Sequence, residues 1–331
     1  MHRSRSRSLA VMATCLGLAA VVASGCGSDS EAGEGGGGDK HRIALIIGVK
    51  GDAFYSSMTC GAQQAAKEMN AELEVQGPDK WDPSLQTPIV NAVVAKKPDA
   101  ILIAPNDAKA MYAPLKQAEA EGIEIVLVDT TLEDPSIAVS EVTSDNEAAG
   151  GLAAEEVARQ AGKDGSVLTV DVSPGISTTE ARVKGFQETA KRLGLEDLGV
   201  RYTADDPAKA SAAVTATLAR HPDLAGVFAT NTLTGEGAAT GLREARKEGE
   251  VKLIGFDANP SGVEALENGI AQAQVVLKPL DIGYSGVEQA VNALEGEPVE
   301  KKLLTGSVIA NKDNLSDPEI DKYLYREDCG A

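Results

Sequence analysis

Beyond residue 42 the chain alternates short apolar runs with longer stretches whose apolar positions recur every three or four residues. IALII at 43–47 has the character of a strand buried on both faces. Residues 56–71 carry Met58, Ala62, Ala65 and Met69 along one helical face. Further strand-like runs fall at 73–75, 100–104, 124–128, 166–170, 200–202, 226–229, 251–256 and 273–277, with helical stretches between nearly all of them. This rhythm predicts βαβ units, parallel sheets and right-handed crossovers.

The pattern repeats once. KPDAILIAPN at 97–106 is echoed by HPDLAGVFATN at 221–231. After each come a helix, an apolar strand and an aspartate: Asp129 lies 23 residues beyond Asn106, and Asp257 lies 26 beyond Asn231. Two similar α/β domains are expected, because polar residues recur at the strand ends together with the apolar period. Ligands of open parallel sheets sit beyond the carboxyl ends of the strands, where Asp52, Asn106, Asp129, Asn231 and Asp257 all fall. Two such edges facing each other would enclose a cleft.

The N-terminus is of another kind. Arg3, Arg5 and Arg7 precede an apolar stretch over 9–23, and ASGC at 23–26 ends it. Small residues before a lone cysteine predict a lipoprotein signal over 1–25, cleaved to leave Cys26 for acylation, with 26–40 as a glycine-rich tether. A plain signal peptide or a short anchor is the alternative. The expected location is therefore extracytoplasmic, on the outer face of the cell membrane.

Composition narrows the function. The chain of 331 residues is 43% hydrophobic and 24% charged, with a net charge of −19 that becomes more acidic once the three signal arginines are removed. Such a surface repels nucleic acid. Of four cysteines, Cys15 leaves with the signal and Cys26 is the lipidation candidate, so Cys60 and Cys329 remain. Outside the cytoplasm two thiols favour a disulfide, here one that pins the polar tail over 323–331 to the first helix. Two unpaired cysteines are the alternative. With only three histidines, one of them in the signal, no metal site is expected.

The candidate site chemistry is that of a polyhydroxylated ligand. Hydroxyls call for carboxylates, amides and an arginine, with an aromatic face for the C–H surface. Phe54, Tyr55 and Phe256 stand beside strand ends in a chain that has only four Phe, six Tyr and one Trp. Each Phe has ordinary core packing as its alternative. Asp129 and Asp257 could cap helices instead, and Arg182 could form a surface ion pair. Gly235, Gly237 and Gly241 imitate a dinucleotide fingerprint, but the spacing is one residue too long, and small residues that let a helix approach the sheet are the preferred account. No serine triad or phosphate loop is present, and no cofactor is expected.

IALII at 43–47, DAFY at 52–55, IAPND at 103–107, TSDN at 143–146, ARVKGF at 181–186, VFATN at 227–231, GFD at 255–257 and KP at 278–279 together resemble type I periplasmic binding proteins of the ribose and galactose type. The resemblance spans about 43–310. It implies two doubly wound parallel-sheet lobes joined by three crossings near Thr143, Leu277 and Gly306, with the ligand between them. The first lobe would comprise 41–143 and about 278–306, the second 144–277 and about 307–322. It also implies that Phe54 and Tyr55 pack on a sugar ring and that Asp129, Arg182, Asn231 and Asp257 bind hydroxyls. Asp52 stands where ribose receptors often carry Asn. Ala104, Thr130 and Leu277 replace a family Asn, Arg and Gln, so a sugar or polyol other than ribose is expected, with Thr130 still counted among the ligand-binding residues.

The implied function is a monomeric, lipid-anchored solute-binding protein, not an enzyme, that delivers a sugar or polyol to the permease subunits of an ABC importer. A receptor reporting to a sensor partner without transport is the second reading, and an extracytoplasmic sugar-acting enzyme the third. The lac-repressor-type regulators that share the fold are excluded, since a signal and a glycine tether occupy the place of their DNA-binding domain.

Overall fold

The computed structural model describes residues 40–162, 165–325 and 328–329. The signal, Cys26 and most of the tether lie outside the described residues. The first lobe begins with β1 (Arg42–Ile46), α1 (Ala53–Glu68), β2 (Glu72–Gln76), α2 (Pro83–Val94), β3 (Ala100–Ile103), α3 (Tyr112–Ala120), β4 (Glu124–Val128) and β5 (Ser140–Ser144). The chain then crosses to α4 (Asn146–Ala161), β6 (Ser166–Asp171), α5 (Ser177–Leu193), β7 (Glu196–Tyr202), α6 (Pro207–Leu218), β8 (Leu224–Ala229), α7 (Thr232–Ala245), β9 (Lys252–Phe256), α8 (Pro260–Glu267) and β10 (Ala273–Val276). It returns as α9 (Pro279–Glu295) and β11 (Lys302–Thr305), then crosses a third time to β12 (Val308–Ala310) and α10 (Pro318–Asp321).

The two sheets share one order. The first runs β11-β5-β4-β3-β1-β2 and the second β12-β10-β9-β8-β6-β7. All pairs are parallel except β10 with β12. Thus the repeat read from residues 97–106 and 221–231 is a repeat of whole lobes. The second copy is one residue longer in this segment, and the register of β8 against β6 slips by one between Leu224 and Gly226.

Central strands are apolar throughout because both sheet faces are covered. Ile43 and Leu45 join the core with Met58 and Ala62 of α1, whereas Ala44 and Ile46 join Val90, Val93 and Leu115 of α2 and α3 on the other face. The edge strand β2 is half-buried, and its alternation is correspondingly weaker.

Helix α1 starts at Ala53, three residues earlier than the periodicity suggests, because the Asp52 side chain accepts a hydrogen bond from the Phe54 N–H at 2.7 Å and caps it. Its pairing with α9 is unusually close. A Cβ on Gly61 would overlap the Leu280 carbonyl, and one on Gly283 would overlap that of Met58. In the second lobe, α4 and α5 repeat this, with Gly150 against Arg182 and Gly185 against Glu147. Gly237 and Gly241 serve a like purpose, but they admit α6 rather than the sheet: a Cβ on either would strike Pro207 or Ser211.

Candidate functional site

The carboxyl ends of the two sheets enclose a cavity of about 80 Å³. Its walls carry Asp52, Phe54, Tyr55, Asp129, Arg182, Asn231 and Asp257, seven of the ten residues expected there.

Asp129 and Asp257 are built alike. Each follows a strand, β4 or β9, and adopts a left-handed backbone, with φ of 63° and 72°. Each donates its N–H across to the neighbouring strand, to Val142 O at 2.9 Å and Val275 O at 3.0 Å. A left-handed aspartate costs on the order of 1 kcal/mol or more, and such strain collects where a side chain must point one particular way. Each carboxylate accepts from a buried tyrosine: Tyr55 Oη lies 2.7 Å from Asp129 Oδ2, and Tyr325 Oη 2.9 Å from Asp257 Oδ1. Neither aspartate is the N-cap residue of a helix, although Asp257 also accepts from the Thr232 backbone at the start of α7. The caps at these edges belong to Asp52 and to Asn231, whose Oδ1 accepts from Thr234 N–H at the start of α7. The Asn231 amide also donates to Asp205 Oδ1 at 2.8 Å.

Arg182 is buried and makes no surface ion pair. Its Nε donates to Asn146 Oδ1 at 2.9 Å and its Nη1 to Thr230 O at 2.6 Å, while the guanidinium lies 4.2 Å above the Phe256 ring. Phe256 is therefore a platform for Arg182 rather than a cavity wall. Thr130 does not line the cavity either, because its hydroxyl donates to Pro105 O at 2.8 Å. Asn106 is buried but does not line the cavity. Its backbone N–H donates to Gln86 Oε1, and neither polar atom of its side chain has a partner among the described residues.

Burial sets the electrostatics. The carboxyl groups of Asp52 and Asp129 are each pushed up to about 6, chiefly by desolvation. For Asp52 the Asp257 charge adds to this, whereas for Asp129 the Tyr55 hydrogen bond and Arg182 pull the other way. Burial also raises Asp205 and Asp257 above the usual carboxylate range.

Three contributors escaped the sequence reading. Trp81 lines the cavity and stacks on Tyr55 at 6.3 Å. It is the only Trp and lies just beyond β2, so the strand-end rule applied to aromatics would have found it. Asp205, on the wall just beyond β7, obeys the same rule. Tyr325 comes from the C-terminal tail, and nothing local in the sequence marks it. Cys329, four residues beyond Tyr325, forms a disulfide with Cys60.

The lobes touch around the cavity, where Thr131 N–H donates to Ser177 Oγ at 3.0 Å. Among the described residues there is no group of side chains fit to hold a metal ion, and no helix is long and apolar enough to cross a membrane.

The sequence profile of the periplasmic binding protein domain matches residues 43–298. The chain belongs to the periplasmic binding protein family. Among its relatives, the ribose import binding protein of Salmonella typhimurium (strain LT2) is 30% identical over 263 residues, covering 80% of this chain and 88% of the relative. Among solved structures, an ABC transporter solute-binding protein from Agrobacterium vitis bound with α-D-tagatopyranose superposes with a TM-score of 0.85 at 38% identity, over 87% of this chain and all (100%) of that one. A second from the same organism, with bound D-fucose, gives a TM-score of 0.81 at 31% identity over 86% of this chain and 100% of its own. The match to the domain profile, these relatives and the fold agree in placing the chain in that family.

Proposed function

We propose that this protein is a lipid-anchored extracytoplasmic receptor whose two lobes close on one neutral monosaccharide or polyol and deliver it to an ABC permease. The observation that carries this reading is the pair of tyrosine-held carboxylates, Asp129 and Asp257, on the walls of one cavity with the buried guanidinium of Arg182. Each carboxylate has an oxygen left to accept ligand hydroxyls, and Arg182 donates to ligand oxygens. Phe54, Tyr55 and Trp81 supply the apolar face for ring C–H groups, while Thr130 and Phe256 stand behind the wall. Four wall carboxyls, Asp52, Asp129, Asp205 and Asp257, face a single guanidinium. That balance favours hydroxyl donors and disfavours sugar phosphates and uronic acids.

The proposed hinge consists of the three crossings between β5 and α4, β10 and α9, and β11 and β12. The anchor is the acylated Cys26, which intact-mass measurement of the membrane-extracted protein checks: an unmodified Cys26 refutes it. For the ligand, thermal shift is measured with D-tagatose, D-fucose, D-ribose, D-allose, D-arabinose and linear polyols. Ligand at roughly 100 times its dissociation constant stabilises the bound form by about 2.7 kcal/mol. Absence of a shift with every member of the panel refutes the sugar reading.

A further inference from the structure

The C-terminal tail does more than cover a surface. Tyr325 is only 4% exposed and is held at three points. Its backbone N–H donates to Ala258 O at 2.9 Å, its hydroxyl donates to Asp257 Oδ1 at 2.9 Å, and the same hydroxyl accepts from the Leu277 N–H at 3.2 Å. Its ring packs edge-on against Phe54 at 5.7 Å. One phenol therefore joins the end of β9, the crossing from β10 to α9 and the start of α1. Tyr325 does not line the cavity, so it acts through Asp257. Oδ1 is held by the phenol, while Oδ2 accepts a long 3.5 Å hydrogen bond from Thr232 Oγ1 and keeps a lone pair for a ligand hydroxyl.

The two tyrosine–aspartate pairs differ in how their tyrosines are anchored. Tyr55 belongs to α1, a helix of 16 residues. Tyr325 follows only the four-residue α10, a single turn too short to hold it by itself. The tie is the disulfide from Cys329 to Cys60, which sits on α1 six residues after Phe54. We infer that Tyr325 is a positioning residue that orients Asp257 toward the ligand, and that the Cys60–Cys329 disulfide keeps it in place, so that affinity depends on the redox state of a bond outside the cavity. This rests on the reading of Asp257 as a ligand contact, and the experiments separate the two.

Two arms need no ligand. In the oxidised protein the Tyr325 and Leu277 amides, both hydrogen-bonded, are expected to exchange slowly. Reduction with a phosphine, or Cys329→Ser, is expected to accelerate both by at least roughly tenfold, and unchanged protection overturns the role of the disulfide. In Tyr325→Phe, the Asp257 carboxyl followed by carbon NMR is expected to titrate at higher pH. Arg182, Asp52 and Asp129, whose charges also act on Asp257, are common to both proteins, so the difference isolates the phenol. An unchanged titration overturns the positioning role.

The third arm uses whichever sugar of the panel gives the largest thermal shift, read by Trp81 fluorescence. Tyr325→Phe is expected to weaken affinity roughly tenfold. It should cost nothing further in an Asp257→Asn background, and reduction should cost nothing further in Tyr325→Phe. Additive losses overturn the inference. If no sugar binds, the function proposed above fails while the first two arms still decide this one.

Discussion

Asp129→Asn is expected to move affinity and stability in opposite directions. The amide is isosteric with the carboxylate, tolerates the left-handed backbone at φ 63°, and still accepts from Tyr55 Oη. What it removes is a negative acceptor for ligand hydroxyls, at a cost of about 1.5–3 kcal/mol for one charge-assisted hydrogen bond, or roughly 10- to 150-fold in Kd. In the ligand-free protein the sign reverses. Burial raises the Asp129 carboxyl from 3.8 to about 6. At neutral pH the charged form is therefore disfavoured by the fold, by an amount on the order of 2–3 kcal/mol at most. The amide escapes that penalty. Calorimetric titration with the panel sugar and melting of the free protein at pH 7.5 are the two measurements. An unchanged or raised melting temperature together with weaker binding is the expected pair. Early melting with affinity intact would refute the reasoning, since it would make Asp129 a structural group.

The same linkage predicts the pH response of the wild type. Asp52 and Asp129 favour the fold most below about 3.8 and lose that contribution as pH rises through about 6, so the free protein should melt higher at pH 5.5 than at pH 7.5, with sugar affinity falling over the same descent. A free-protein melting temperature that drops on acidification across that window contradicts it. Arg182→Lys should cost more than tenfold in affinity, because an ammonium cannot reproduce the forked bonds to Asn146 and Thr230 or the stack on Phe256, and titration calorimetry reads the loss. Gly283→Ala should destabilise by about 1–3 kcal/mol in urea unfolding, since its Cβ overlaps the Met58 carbonyl, with ligand contacts left in place.

The parts of the fold that bury apolar strands on both faces could be read from the chain, because β1, β3, β4, β8 and β9 leave uninterrupted hydrophobic runs. Strand β5 left no such run. Its SEVTS buries only alternate residues, and β11 and β12 are four and three residues long, so the hinge strands were reached only through the family resemblance. Asp129 and Asp257 were legible because a strand end is a local property and the repeat marked it twice. Asn106 shares a motif with Asn231, yet only Asn231 begins a helix directly and lines the cavity; α3 starts six residues after Asn106. Tyr325 was invisible because its partner lies 68 residues away in sequence and its place depends on tertiary packing alone.

The exchange of helices between lobes has a consequence for the order of assembly. Helix α9, whose glycines let it lie directly on α1, follows the whole second lobe in sequence, and so does the strand β11 that flanks β5. As the chain emerges from its amino end, the first lobe begins earliest but cannot be completed until residue 305 is available. By residue 277 the second lobe already has every strand but its short antiparallel edge, β12. The half that starts second should therefore finish first, the reverse of the usual amino-to-carboxyl progression of domains. Pulse-labelled exchange on a chain ending at residue 277 would show protected β6, β8 and β9 beside unprotected β1 and β3, and the opposite pattern would rule this order out.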